Sequence, residues 1–146
     1  MPSNISSSDL IRVLLVDDNP AMLARAAAVL ASGCVVVGSA ADGPAAVKAA
    51  LTLRPDVIVL DISMPGMSGI EVAIRLRSVG SVAPIVFLTV HDEDEIVAAA
   101  QACGASGYVV KSRLGSDLAV AVHEASVGRA FVSPRLHARP ANSLHR

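Results

Sequence analysis

The chain has 146 residues, of which 53% are apolar and 17% charged, and its formal charge is −1. That length makes one ordinary domain able to bury its own core, and the composition excludes a disordered chain. A near-neutral charge with only 2% aromatic residues argues against a nucleic-acid platform or a membrane-surface protein.

Residues 1–10 are Ser-rich and polar, lack the apolar core of a signal peptide, and read as a disordered N-terminal tail. The first strand is Ile11–Val16, which releases Asp17-Asp18 at its carboxyl end. Asn19-Pro20 then supplies a helix N-cap followed by proline at the first helical position. Cys34–Ser39 is the second strand, and Gly43-Pro44 opens the helix Ala45–Leu53 in the same way. Val57–Leu60 is the third strand and is followed at once by Asp61. Ser68-x-x-Glu71 forms a capping box ahead of Val72–Arg77. The fourth strand, Ile85–Thr89, ends on a hydroxyl. Asp92-x-x-Glu95 is a weaker box ahead of Ile96–Cys103, which Gly104 closes. Gly107–Val110 is the fifth strand and delivers Lys111 at its end. Ser116 or Asp117 starts a last helix that runs to Ala125 or Ser126, with Gly128 after it. Residues 131–146 have no sustained apolar period and read as a linker or C-terminal tail. Cys34 and Cys103 stand alone, so small buried hydrophobes are expected rather than a disulfide or a zinc site.

These strands are rich in Val and Ile with little polar alternation, the signature of a parallel sheet covered on both faces. Alternating strands and helices with right-handed crossovers predict an α/β, flavodoxin-like (βα)5 fold. Its sheet is doubly wound and five-stranded, in order 2-1-3-4-5. The topological switch of that sheet lies between the first and third strands, and ligands bind beyond the carboxyl ends there. Those two strands deliver Asp17, Asp18 and Asp61. Two unit charges about 4 Å apart repel by roughly 4 kcal/mol at an effective dielectric near 20. A hard divalent cation, Mg2+ where phosphate is also handled, is the expected companion. With Thr89 and Lys111 on the same rim, the set suits acceptance of a phosphoryl group. A carboxylate can attack phosphorus, while cations and a hydroxyl neutralise the transferring oxygens.

The acidic pair, the Asp61-x-x-Met64-Pro65-x-x-x-Gly69 loop, Thr89 and Tyr108-x-x-Lys111 together resemble the receiver domain of two-component response regulators, over residues 11–130. Leu88–Glu93 and Gly128–Pro134 are similar to regulators of the NarL/FixJ (LuxR-type) class. The resemblance implies that Asp61 accepts phosphate from a sensor histidine kinase. Asp18 and Asp61 would bind Mg2+ through side chains, Ser63 through its carbonyl, and Asp17 through a metal-bound water. Lys111 would pair with Asp61 and then with the phosphoryl oxygens. Thr89 and Tyr108 would be the switch, and Ser63 and His91 would tune dephosphorylation. The face made by the fourth helix, fifth strand and fifth helix would change its partner affinity. A homodimer through that face, or through the first and fifth helices, fits the same picture. Members of this class usually continue into a helix-turn-helix domain that binds DNA, and the stretch after Pro134 is too short to form one, so that output domain is expected to be absent. A role in transcriptional regulation, no membrane contact and a cytoplasmic location are expected. One departure is Ser112, where many receivers have proline after the lysine. A trans bond and a looser loop are expected there.

The rival readings are an aspartate-nucleophile phosphohydrolase and a phosphate-independent pseudo-receiver. A hydrolase of the haloacid-dehalogenase kind needs a second Asp two residues after the nucleophile, where this chain has Ser63. The acidic pair and Lys111 weigh against a pseudo-receiver. A signalling switch rather than a metabolic enzyme is the expectation.

Overall fold

The computed structural model describes residues 10–90 and 94–134, the side chains of 94–97 excepted, and strand alternates with helix along the whole of it. The order is β1 (Ile11–Val16), α1 (Pro20–Leu30), β2 (Cys34–Ala40), α2 (Gly43–Leu53), β3 (Val57–Asp61) and α3 (Gly69–Ser78), then β4 (Ile85–Thr89), α4 (Asp94–Ala102), β5 (Gly107–Val110), α5 (Leu114–Ser126) and β6 (Phe131–Val132). A 3-10 turn, Lys111–Arg113, joins β5 to α5.

Local chemistry sets the helix starts. The Asn19 side chain accepts from the backbone of Ala21 and Met22, and Pro20 takes the first helical position of α1. Ser68 and Glu71 close a reciprocal capping box on α3. At α2 the cap is Asp42, whose carboxylate accepts from Ala45 N–H at 2.8 Å. Gly43, expected as the cap, is already helical, because a carboxylate satisfies an orphan N–H and glycine has nothing to offer it. The last helix starts at Leu114, so Asp117 lies in its first turn rather than before it.

All the strands pair in parallel, in the order β2-β1-β3-β4-β5-β6. Side chains alternate between two cores, as the pleat requires. Leu14 and Val16 join the layer covered by α2, α3 and α4, with Ala46, Leu76 and Ala100. Val13 and Leu15 join the layer covered by α1 and α5, with Leu30, Leu118 and Val122. Both faces are therefore apolar, which is why the strands read as continuous hydrophobic runs. Phe87 on β4 is fully buried, and truncating such a residue to Ala costs about 3–5 kcal/mol.

The five-stranded sheet expected from the sequence has a sixth member. Phe131 and Val132 pair with Gly107 and Tyr108, and Ser133 N–H donates to the Tyr108 carbonyl at 2.8 Å. Residues 131–133, expected as the start of a linker, are part of the sheet edge. Gly128, at φ +83°, makes the left-handed turn that ends α5 and sends the chain back along β5. Residues 1–9 and 135–146, expected as tails, lie outside the described residues. Among the described residues, no helix is long and apolar enough to cross a membrane.

Candidate functional site

Register places the acidic residues. Val16 pairs with Leu60, so Asp17, one residue beyond β1, lies beside Asp61 at the end of β3. Both are buried, at 2% and 1% exposure, while Asp18 is exposed. Each of the three carboxylates offers one oxygen, and these atoms lie within 4.8 Å of one another. The cluster has the oxygen-only donor set that suits a hard divalent cation.

Lys111, delivered by β5, bridges the two buried acids. Its Nζ lies 3.2 Å from Asp61 Oδ1 and 3.2 Å from Asp17 Oδ2. Asp61 Oδ1 also accepts from Ser63 N–H at 3.2 Å, and Asp17 Oδ1 accepts from Asn19 N–H at 2.9 Å. The approach of Nζ to Asp17 Oδ2 has the distance of an ion pair without hydrogen-bond alignment, so among the described residues that buried oxygen accepts no hydrogen bond. A buried acceptor left unsatisfied is costly, and a cation in the crevice would relieve it. Burial, and then the neighbouring charge of Asp17, push the Asp61 carboxyl up to about 6 against the opposing pull of Lys111.

The loop beneath Asp61 is shaped for close approach. Gly69 N–H donates to the Ile62 carbonyl at 2.8 Å, and a Cβ at Gly69 would overlap the Asp61 carbonyl oxygen. Only glycine lets α3 start this near to β3. Thr89 is fully buried at the end of β4, and Tyr108 is 2% exposed, packed in the layer that holds Phe87, Ala100 and Val110. Ser63 is exposed beside Asp61. His91 lies outside the described residues. Asp17, Asp18, Asp61, Ser63, Thr89 and Lys111 thus gather at one rim, with Tyr108 in the core behind it. A recess of 560 Å³ lined by Ala50, Arg54, Asp56 and Pro84 lies instead at the amino ends of β3 and β4, away from this chemistry.

A second polar cluster escaped the sequence reading. Asp117 on α5 is 5% exposed. It accepts from Arg113 Nε at 2.8 Å, from Ser116 Oγ at 3.0 Å and from Ser133 Oγ at 2.6 Å. Ser133 Oγ in turn accepts from Val110 N–H at 3.2 Å. Burial raises the Asp117 carboxyl, but the hydrogen bonds from Ser133, Arg113 and Ser116, with the Arg113 charge, outweigh it and hold the group below the usual carboxylate range. The i, i+4 spacing of Arg113 and Asp117 was a readable signal. Nothing local marked Ser133, sixteen residues further on.

A doubly wound sheet carrying a carboxylate and lysine crevice at its switch point defines the class of receiver-type signalling domains. The chain belongs to the response regulator receiver domain family, whose sequence profile matches residues 13–123. It is 34% identical over 134 residues to the nitrate/nitrite response regulator protein NarL of Escherichia coli (strain K12), covering 90% of this chain and 62% of that one. It is 38% identical over 128 residues to a probable transcriptional regulatory protein NarL of Mycobacterium tuberculosis, covering 86% and 59%. The chain thus spans about three fifths of the length of these relatives. The solved signal receiver domain of the putative response regulator NarL from Mycobacterium tuberculosis superposes with a TM-score of 0.78 at 34% identity, over 83% of this chain and 99% of that one. A LuxR-family two-component response regulator from Aurantimonas sp. SI85-9A1 gives 0.82 at 33% identity, over 86% and 91%.

Proposed function

We propose that this chain is the phospho-accepting switch of a two-component system, with Asp61 as the acceptor. The observation that carries the reading is Lys111 Nζ held between two buried carboxylates at the switch point, one of them with an oxygen that no described residue hydrogen-bonds. A structural ion pair would be expected to satisfy its partners, whereas this crevice is built for charge that arrives later.

In the transfer, a carboxylate oxygen of Asp61 bonds to phosphorus as the P–N bond of a kinase phosphohistidine breaks. The electron pair of that bond leaves with the imidazole nitrogen, which then takes a proton. Lys111 orients Asp61 beforehand and afterwards pairs with the phosphoryl oxygens. Asp18 and Asp61, with the Ser63 carbonyl, would hold Mg2+, and Asp17 would act through a bound water. When present, the cation offsets negative charge among the carboxylates and on the phosphoryl oxygens. Thr89 donates a hydrogen bond to a phosphoryl oxygen, and Tyr108 responds behind it. Exposed Ser63, together with His91, sets how fast the aspartyl phosphate hydrolyses. The product is a signalling state rather than a metabolite.

The added charge of about −1.5 to −2 biases a two-state element. Moving a population from 1:99 to 99:1 needs about 5.5 kcal/mol. A Thr89 hydrogen bond to a charged oxygen supplies roughly 1.5–3 kcal/mol of it. The output is transcriptional regulation, by analogy with the relatives, through a changed surface on α4, β5 and α5 or on α1 and α5. Leu118 and Val122 face the core, which leaves half-exposed Val120 as the apolar contribution of that stretch of α5.

Incubation with acetyl phosphate and Mg2+, followed by intact-mass measurement, tests the reading. A gain of one phosphoryl group that Asp61→Asn abolishes supports it. Rapid turnover without an adduct would indicate a hydrolase, and no reaction at all a pseudo-receiver.

A further inference from the structure

Lys111 acts through a long, flexible side chain, so its backbone must be fixed if Nζ is to sit between Asp17 and Asp61. The turn that carries it offers little rigidity of its own. It is a 3-10 turn of Lys111–Arg113, with no side-chain cap and no proline. Both of its flanks are instead tied to one buried group. On the upstream side, Val110 N–H donates to Ser133 Oγ at 3.2 Å, and that hydroxyl donates to Asp117 Oδ2 at 2.6 Å. On the downstream side, Arg113 reaches the same carboxylate with Nε at 2.8 Å and Nη2 at 3.4 Å. Ser116 Oγ adds a further donor at 3.0 Å.

We propose that Asp117 is a positioning residue for Lys111, acting with Ser133 and Arg113 as a clasp that fixes the residues on both sides of the lysine. Among the described residues Asp117 accepts from Arg113, Ser116 and Ser133, while Lys111 Nζ pairs with Asp17 and Asp61 instead, so Asp117 acts through the backbone of the turn. A charged acceptor bonded by several donors is rigid, and rigidity is what a flexible ammonium needs from its support. Because Ser133 follows directly on β6, the clasp forms only when β6 lies against β5. Docking of the segment after α5 is thereby linked to the placement of the lysine at the rim.

The chain contains two lysines, and Lys48 on α2 is exposed, so it serves as an internal standard. The Lys111 side chain is 14% exposed and ion-paired. Reductive methylation with formaldehyde and cyanoborohydride, followed by peptide mass spectrometry, reads the Lys111 to Lys48 labelling ratio. Ser133→Ala and Asp117→Asn should raise that ratio about threefold or more. They should also lower the maximal rate of phosphorylation by acetyl phosphate about tenfold, with little change in the concentration giving half the rate. Ser133→Thr, which keeps the hydroxyl, should restore both values toward the wild type. If Ser133→Ala does not fold, Arg113→Ala removes the partly exposed arm of the clasp and carries the same measurement. Folded variants with a lower melting temperature but an unchanged labelling ratio would overturn the proposal and leave the clasp a purely structural one. The rate readout rests on the phospho-accepting reading, but the labelling readout does not. A wild type that takes no phosphate, yet whose Lys111 becomes reactive in the variants, would sink that reading and uphold the positioning role.

Discussion

Two buried carboxylates, each paired with a residue of the Lys111–Arg113 turn, sit in opposite electrostatic situations. Asp117 has three side-chain partners and is held below the usual carboxylate range. Asp61 shares one lysine with Asp17, beside exposed Asp18, and is pushed up to about 6. Burial opposes the charge in both places, and the difference lies in the donors that answer it. Where donors are sufficient, a buried acid is a fastener. Where they are insufficient, its ionised form is held at a cost that the rest of the fold bears.

Breaking the frustrated side should have the largest effect. Lys111→Ala removes the cation that Asp17 and Asp61 share, and is expected to slow phosphorylation by acetyl phosphate by about 10²–10³-fold in a time course of intact mass. Breaking the satisfied side comes next. Asp117→Ala strands Arg113, Ser116 and Ser133 without their acceptor, and should cost about 2–4 kcal/mol in denaturant unfolding. A cost near zero would mean that the clasp is ornamental.

The sharpest contrast is that neutralising Asp61 should stabilise the protein. Its folded value of about 6 lies above the roughly 3.9 of an unfolded aspartate. The stability linked to its neutral form is therefore complete below about pH 4 and lost as pH rises through 6. Asn stays neutral throughout. Asp61→Asn is expected to gain about 1–2 kcal/mol at pH 7–8 in metal-free buffer, less than the full shift implies because solvent reaches the rim, and to gain nothing near pH 4. Added Mg2+ should raise the melting temperature of the wild type and leave that of Asp61→Asn nearly unmoved.

The smallest effect is the mirror image at Asp117. Its lowered carboxyl contributes stability that is present above the unfolded value and lost as pH falls through the folded one. The gap in melting temperature between wild type and Asp117→Asn should narrow as pH drops below about 4. A gap that widens there would reverse the assigned sign.

Much of the architecture was legible because its causes are local. Ile11–Val16, Ile85–Thr89 and Gly107–Val110 stand in the structure as read from their runs of Val, Ile and Leu. Asn19-Pro20 and the Ser68 to Glu71 box mark helix starts within four residues of chain. The shared rim of Asp17, Asp61, Thr89 and Lys111 follows from strand ends in a parallel sheet, whose order short right-handed crossovers constrain. Asp42 as the cap of α2 was within reach of the same logic, since a carboxylate caps better than the glycine after it.

β6 and the clasp were not legible, and for a common reason. Phe131-Val132 is too short to carry a period, and it is a strand because Gly107 and Tyr108 lie alongside. Ser116-Asp117 looked like a cap because such residues often are, yet Asp117 turns inward to donors at 113 and 133. By itself, then, the sequence determined the alternation of strand and helix, the two-faced burial of the sheet, and which strand ends bear charge, since hydrophobic period and capping act within a few residues. Only the tertiary structure decided how many donors reach each buried carboxylate. That number depends on side chains brought together from distant parts of the chain, and it is what separates Asp61 from Asp117.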